Sequence, residues 1–315
     1  MIEQFSKDVH EGLSNEPKNL PSKYFYNAKG DDLFQQIMDM PEYYLTKAEL
    51  EIFTTQAGAM ITRLDLSQHE HFELVELGAG DGTKTKELLK VLLQERHSFD
   101  YLPIDISANA LDLLHNNVSQ ALPELSIKKQ QGDYFELLHS LKNSQHPKVV
   151  LFLGSNIGNL NDDEANDFMQ QLSANLNAGD TLVLGVDLIK SEEIILPAYN
   201  DESGITKAFN LNLLHRINEE LEADFCLTNF EHAPEYCPDK GVAKSYLFSK
   251  EDQTVNIKKT GHSYTFKKGE KIDTEISRKY NDEVIQDIIE NTGFSLLTKL
   301  TDSNNYFSDY ILVNQ

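Results

Sequence analysis

The sequence contains no tryptophan and only two cysteines, Cys226 and Cys237. Two cysteines without metal-ligand spacing exclude a disulfide framework and a zinc site, and they indicate a reducing compartment. Long apolar runs are also missing, because no stretch approaches the roughly 18 apolar residues of a membrane helix. The charged start of the chain lacks the apolar core of a signal peptide. We therefore expect a cytoplasmic protein without a membrane partner.

Basic side chains are scarce. The 28 lysines and arginines stand against 51 aspartates and glutamates, which gives a formal net charge of −23. Such a surface repels a phosphate backbone, so the composition argues against a nucleic-acid partner. The 315 residues are 25% charged and 40% apolar, as in globular proteins with one large or two moderate domains. No pattern fixes the oligomeric state, and we expect a monomer that acts on a small molecule.

The first 70 residues are predicted to form helices joined by loops, without a sheet. Residues 31–38 have helical spacing, and Thr46 followed by Glu49 resembles a capping box that opens another helix. From Phe72 onward, short apolar runs alternate with amphipathic stretches, which is the pattern of βα units in a parallel sheet. The predicted strands are 73–77, 100–104, 125–130, 148–153 and 181–187, and the predicted helices are 84–94, 108–118 and 162–176.

After residue 187 the alternation stops, and 191–280 form a predicted insertion with a helix around 208–222. The chain then returns to a helix at 281–291, capped by Gly293, and to strands at 294–300 and 310–313. Such an antiparallel hairpin is the usual end of a class I methyltransferase sheet. We therefore expect an α/β fold whose Rossmann-like, mostly parallel sheet comes from 71–190 and 281–315, with a second domain from 1–70 and 191–280.

Three alternating glycines lie between a predicted strand and a predicted helix: Gly78, Gly80 and Gly82. Glycine lets a ligand approach the backbone where a Cβ would be in the way, although such turns are common after strands. Asp105 ends the next strand, at the distance expected for a carboxylate that binds a ribose diol. At the third junction, Asp133 can bind the amino group of an adenine, and Tyr134 follows it. Together these groups predict a nucleoside site.

Two features favour S-adenosylmethionine over NAD as the nucleoside. The glycine spacing differs from the dinucleotide pattern, and Glu76 precedes the first glycine by two residues, where it would repel a pyrophosphate. A zwitterionic methionine with a sulfonium tolerates this negative charge. S-adenosylmethionine is therefore the expected cofactor.

Several further segments lie outside the generic cofactor-binding fold. They are 24–34, 41–49, 151–160, 198–201, 204–206, 208–210 and 274–277. Together with 76–85, they resemble the signature segments of the histidine-specific methyltransferase family, and the resemblance runs from about residue 18 to the C-terminus. That family makes hercynine, the trimethylated betaine of histidine, on the way to ergothioneine. The resemblance implies a S-adenosylmethionine-dependent N-methyltransferase that acts on the α-amino group of histidine.

The resemblance also implies roles for individual residues. The implied cofactor residues are Gly78, Lys84, Asp105, Asp133 and Tyr134, to which the glycine motif adds Gly80. The implied amino-acid residues are Tyr43, Asn159, Tyr199, Glu275 and Ser277. Among them, Asn159 and Tyr43 are the expected catalytic residues. The domain that the N-terminal helices and the insertion form is then the substrate-binding domain.

The implied roles agree with the chemistry of the side chains. Glu275 and Ser277 lie two apart, so on an extended segment both point to one face and can bind the two imidazole nitrogens. The amide of Asn159 can donate to a carboxylate and accept from an amine. The rings of Tyr43 and Tyr199, with Tyr26, can face a methylated ammonium.

Each residue also has an ordinary structural interpretation. Tyrosines often pack as amphipathic side chains, and Glu275 and Ser277 suit the polar face of an edge strand. Asn159 suits the N-cap of the next helix. His232 is interpreted as structural, because nothing at metal or nucleophile spacing accompanies it.

The sequence departs from the family pattern at 232–236, where a proline is inserted, and at 241–245. Two alternatives therefore stay open. The same scaffold could methylate a different amino acid or small amine, or it could be a non-catalytic module that binds S-adenosylmethionine.

Overall fold

The computed structural model describes residues 2–66, 70–132, 134–142 and 144–315, which form two compact units. Unit 1 combines Met1–Tyr43 with Lys190–Arg278, and unit 2 combines Tyr44–Ile189 with Lys279–Gln315. The chain therefore passes from one unit to the other three times.

The helices and strands are numbered along the chain. The helices are α1 (Ile2–Ser14), α2 (Ala28–Asp39), α3 (Tyr44–Arg63), α4 (Thr85–Gln94), α5 (Ala108–Ala121), α6 (Tyr134–Leu141), α7 (Asp162–Ala174), α8 (Glu192–Ile195), α9 (Ile205–Leu221) and α10 (Asp282–Ile289). The strands are β1 (Lys18–Asn19), β2 (Phe72–Leu77), β3 (Phe99–Asp105), β4 (Gln130–Gln131), β5 (Lys148–Phe152), β6 (Thr181–Asp187), β7 (Phe230–Cys237), β8 (Val242–Ser249), β9 (Gln253–Ile257), β10 (His262–Phe266), β11 (Lys271–Arg278), β12 (Phe294–Thr301) and β13 (Phe307–Asn314).

Unit 2 is built on one large sheet. Within the described part of the chain, seven strands form it in the order β12-β13-β6-β5-β2-β3-β4. Strands β2 to β6 pair in parallel, while β13 is antiparallel to both β6 and β12. Apolar clusters cover both faces, and every residue of β5 and β6 is buried, as expected for central parallel strands. The predicted class I methyltransferase sheet with its closing hairpin is confirmed.

Unit 1 contains a mostly antiparallel sheet. Its strand order among the described residues is β1-β11-β8-β7, and β9 and β10 form a separate hairpin. Helix α9 packs on β7 and β8, and its apolar face shares a core with α1 and α2. The expectation that the N-terminal segment contributes no sheet is wrong, because β1 pairs in parallel with β11.

Three local predictions differ from the structure. The strand predicted at 125–130 is reduced to β4 and a bridge between Tyr101 and Ile127, because this sheet edge pairs only with β3. No capping box joins Thr46 to Glu49, because α3 already begins at Tyr44 and the Glu49 side chain is buried elsewhere. The predicted boundary at residue 70 also differs from the observed division, because α3 packs on α4, β12 and β13 of unit 2.

Candidate active site

The glycine loop of unit 2 follows β2 and is held against β3. The amide of Gly78 donates to the carbonyl of Ile104 at 2.8 Å. Gly78 has a φ of +68°, and a Cβ at this position would lie 2.8 Å from the Tyr134 hydroxyl and 2.9 Å from Asn156 Nδ2. The structure therefore brings the predicted residues Gly78 and Tyr134 together, in a space that only glycine leaves open.

Asp105 lies beside the same loop. Its Oδ2 accepts from the amide of Gly80 at 3.3 Å, and its Oδ1 accepts from the amide of Ser107 at 2.8 Å. Burial raises the pKa of Asp105, and these backbone hydrogen bonds oppose the increase. A Cβ on Gly80 would meet no atom within 4 Å, so the glycine loop borders open space at this residue. The third glycine has a packing role, since a Cβ on Gly82 would lie 2.9 Å from Leu114 Cγ of α5.

Lys84 ends the glycine loop, immediately before α4. Its ammonium forms an ion pair with Glu49 of α3, and Glu49 also accepts from the amide of Gly154 at 2.9 and 3.1 Å. Burial opposes the charge of Lys84, but the attraction of Glu49 outweighs it and raises the pKa of Lys84. The remaining predicted cofactor residue, Asp133, lies outside the described residues.

Three of the predicted amino-acid residues of unit 1 lie on β11 or against it. The Tyr199 hydroxyl donates to Ser277 Oγ at 2.7 Å, and both side chains are buried. Ser245 of β8 donates to Glu275 Oε2 at 2.9 Å, and Glu275 is half-buried. The β11–β8 pairing shifts register between Asp273 and Glu275, as at a β-bulge. Beyond that shift, Glu275 and Ser277 point to one face of the strand, as the spacing predicted.

The two predicted catalytic residues belong to different units. Tyr43 is half-buried in unit 1, with its ring edge-on to Phe34 at a centroid distance of 6.3 Å. Asn159 ends the 3-10 helix Asn156–Asn159 that follows β5 in unit 2. The N-cap of α7 is Asn161, in a capping box with Glu164, so the structural interpretation of Asn159 as a helix cap is wrong.

Five residues that the sequence patterns did not indicate interact with the predicted ones, adjoin them, or act on them through Glu49. They are Glu49, Gly154, Asn156, Ser245 and Asp309. One signal was available for Glu49 and Asp309, because β6 contains a glycine in an otherwise apolar, fully buried run. A Cβ on Gly185 would lie 2.2 Å from Glu49 Oε1 and 2.9 Å from Asp309 Oδ1.

Over the described residues, no group of three or more histidine, cysteine, aspartate or glutamate side chains is placed to hold a metal ion. No helix in the same part of the chain is long and apolar enough to cross a membrane.

Comparison with known sequences decides between the families that share this sheet. A family model described as histidine-specific methyltransferase, SAM-dependent, matches residues 5–314. The chain belongs to this family. It is 35% identical to a histidine N-alpha-methyltransferase of Mycolicibacterium smegmatis, over 91% of this chain and 88% of that protein. A histidine N-alpha-methyltransferase of Mycobacterium tuberculosis is 33% identical over 96% of this chain and 92% of its own length. Ergothioneine biosynthesis protein 1 of Schizosaccharomyces pombe is 30% identical over 94% of this chain and 39% of its own length.

Members of this family are S-adenosylmethionine-dependent methyltransferases, and the loops of unit 2 fit that cofactor. The glycine loop leaves its backbone open at Gly80, where a Cβ would meet no atom within 4 Å, and the amide of Gly80 donates to the Asp105 carboxylate. Hydroxyl and amide groups of Tyr134 and Asn156 lie at the same point. The chain is therefore a methyltransferase whose cofactor is S-adenosylmethionine.

Proposed function

We propose that this protein methylates the α-amino group of L-histidine three times and produces hercynine in ergothioneine biosynthesis. The observation that carries the proposal is the pair Glu275 and Ser277, which lie on one face of β11 with their side chains held by Ser245 and Tyr199. These hydrogen bonds fix a carboxylate and a hydroxyl in one orientation before any substrate binds. The names of the most similar relatives support the same substrate.

Glu275 and Ser277 can distinguish histidine from other amino acids. A carboxylate accepts from an imidazole N–H, and a hydroxyl can donate to or accept from the second ring nitrogen. A site that hydrogen-bonds its substrate rejects analogues that lack the partner group, because its own polar atoms would be left unpaired. Histidine carries two ring nitrogens, so it satisfies both residues.

The cofactor is assigned to unit 2. Asp105 is the proposed acceptor for the ribose hydroxyls, and the backbone of Gly78 and Gly80 is the proposed surface against which the cofactor lies. Asp133 and Tyr134 are the proposed contacts to the adenine. Lys84 is proposed to support this region, with its charge balanced by Glu49.

S-adenosylmethionine supplies an activated methyl group that the lone pair of an amine can accept. The chain therefore needs to orient a neutral amine more than to activate it. Asn159 is the proposed residue that holds the amine through its amide in unit 2. Tyr43 of unit 1, with its hydroxyl, is the other proposed catalytic residue.

Three transfers require a site that accepts an increasingly methylated ammonium. Unit 1 contains an aromatic cluster in which Phe34 contacts Tyr26 and Tyr43 edge-on, at centroid distances of 5.6 and 6.3 Å. Aromatic faces attract quaternary ammonium groups by cation–π interaction. This cluster supports the proposal of full trimethylation.

One observation favours a second candidate, a methyltransferase for a different amino acid. Ser245, the residue that holds Glu275, lies in the segment 241–245 that departs from the family pattern, and it pairs with the inserted Pro234 of β7. A change of sequence at this contact is able to re-aim the Glu275 carboxylate. The substrate of such an enzyme would be another amino acid with the same backbone groups.

A competition experiment tests the proposal. The purified protein is incubated with S-adenosylmethionine and a mixture of the twenty standard amino acids, and mass spectrometry identifies the methylated products. Trimethylhistidine is the expected dominant product. A methylated product of another amino acid would support the second candidate, and no product despite cofactor binding would indicate a non-catalytic module.

A further inference from the structure

A cluster of buried charges lies beneath the predicted cofactor loops of unit 2. Glu49 of α3 and Asp309 of β13 both have no exposed surface. Glu49 is paired with Lys84 and with the Gly154 amide. Neither carboxyl oxygen of Asp309 has a hydrogen-bond partner among the described residues. Burying a carboxyl group without a hydrogen-bond partner costs free energy, so the burial of Asp309 requires an explanation.

A glycine in β6 leaves space for these two carboxyl groups. Gly185 lies in the middle of β6, and a Cβ there would overlap Glu49 Oε1 at 2.2 Å and crowd Asp309 Oδ1 at 2.9 Å. Glycine weakens the interior of a strand and often marks a close approach by another group. The two carboxyl groups therefore converge on a space that β6 leaves open for them.

The ionisable groups of this cluster act on one another. Burial, together with the negative charge of Glu49, raises the pKa of Asp309 well above its usual range, and the charge of Lys84 opposes the increase. Burial and Glu49 therefore favour the protonated form of Asp309, and the Lys84 ammonium is paired with the Glu49 carboxylate. Glu76 of β2 adds a further attraction to Lys84.

We propose that Glu49 is a positioning residue for cofactor binding. It joins Lys84, at the end of the glycine loop, to Gly154, at the start of the loop after β5. The first loop carries Gly78, and the second carries Asn156, whose Nδ2 would lie 2.9 Å from a Cβ on Gly78. Both loops that border the predicted cofactor contact are therefore held by the carboxylate of Glu49.

This inference rests on the cofactor assignment in the proposed function, and it does not depend on which amino acid is methylated. Its test is accordingly the binding of S-adenosylmethionine and S-adenosylhomocysteine without any amino acid, measured by titration calorimetry. Glu49→Gln keeps the shape of the side chain and removes its charge. Glu51→Gln is the matched control, because Glu51 lies on the same helix but contacts Ser303 at the surface.

We expect Glu49→Gln to weaken the binding of both ligands by roughly tenfold or more, as for the loss of a buried charged hydrogen bond. Glu51→Gln is expected to bind like the unmodified protein. Because Glu49 acts through Lys84, adding Lys84→Met to Glu49→Gln should weaken binding less than the sum of the two single changes. Normal binding by a folded Glu49→Gln protein would overturn the proposal, and so would additive effects.

A second measurement uses the unmodified protein, in case the variant does not fold. Hydrogen–deuterium exchange is recorded with and without S-adenosylhomocysteine. The proposal predicts that peptides containing Glu49 and Gly154 gain protection together with the glycine loop. Protection confined to the glycine loop would overturn it. If the unmodified protein bound neither ligand, the cofactor assignment and this inference would both be wrong.

Discussion

The two units support their predicted functional residues by different physical means. Beneath its proposed cofactor loops, unit 2 buries the carboxyl groups of Glu49, Asp309 and Glu76. On its amino-acid side, unit 1 uses the hydroxyls of Tyr199 and Ser277 and one half-buried carboxylate. The difference follows from the kind of element that carries the predicted residues, which is mainly loops in unit 2 and a β-strand in unit 1.

Loops after parallel strands present mainly backbone to a ligand, so they need anchors from elsewhere in the chain. Glu49 is such an anchor, since it is 35 residues before Lys84 and 105 before Gly154. Side chains on an antiparallel strand are already aligned by its ladder, so hydroxyl groups from neighbouring segments suffice to orient them. In unit 2, the orientation of the predicted functional residues therefore depends on buried ionisable side chains. In unit 1, it depends on the register of the paired strands.

The largest expected effect concerns the buried carboxyl group of Glu76 in unit 2. Burial raises the pKa of Glu76 to about 7, although Thr85, Tyr101 and Lys84 oppose the increase. The native state therefore binds this proton more tightly than the unfolded chain, and stability falls as pH rises from the usual value of 4.5 to about 7. The loss is about 3 kcal/mol.

Glu76→Gln imitates the protonated side chain and should remove this loss. Denaturant unfolding is measured for both proteins at about pH 5 and about pH 8, and the difference between them isolates Glu76. The variant is expected to gain relative stability at the higher pH. If the free energy of unfolding depended on pH in the same way for both proteins, the role given to the buried carboxyl group of Glu76 would be contradicted.

The next effect concerns the Glu275 carboxylate of unit 1. Glu275→Ala should lower kcat/KM for histidine by roughly 100-fold, because a hydrogen bond to a charged group is lost. Selectivity for histidine over other amino acids should fall with it, while cofactor affinity stays the same. Glu231→Ala, at an exposed site on β7, is the control. Full selectivity in Glu275→Ala would remove the proposed role.

A smaller effect is expected at the cofactor carboxylate. Asp105→Asn retains an acceptor for the Ser107 amide but loses the charge, so S-adenosylmethionine affinity should fall roughly 10- to 30-fold. Asp112→Asn removes an equivalent charge from the exposed face of α5 and should have no effect. Calorimetric titration measures both. An unchanged KM for histidine would show that the defect is confined to the cofactor side.

The smallest effect concerns the hydroxyl pair of unit 1. Tyr199→Phe removes the donor to Ser277, and it should raise KM for histidine by roughly fivefold, since a neutral hydrogen bond contributes about 1 kcal/mol. Steady-state kinetics of Tyr199→Phe, Ser277→Ala and the double variant measure the coupling. Additive effects would mean that the two hydroxyls act separately.

Local sequence patterns predicted the framework of unit 2 well. The strand at 181–187 has the observed bounds, and the glycine loop, Asp105 and the closing hairpin lie where the spacing placed them. These features depend on short segments, in which apolar period and glycine position determine the structure. On β11, the two-residue spacing of Glu275 and Ser277 was likewise sufficient to predict that both side chains point to one face of the strand.

Features that depend on distant contacts could not be predicted in this way. Glu49 resembled a capping residue, because nothing near it in the sequence indicates Lys84, Gly154 or Asp309. Asn159 suited a helix cap as well as Asn161 does, and only the start of α7 distinguishes them. The register shift before Glu275 also depends on pairing with β8.

The position and number of the added methyl groups test the central claim most directly. Histidine is incubated with the protein and S-adenosylmethionine carrying a deuterated methyl group, and the product is fragmented in a mass spectrometer. The account predicts three labelled methyl groups, all on the α-nitrogen. A labelled methyl group on an imidazole nitrogen, or a product that stops at one transfer, would contradict it.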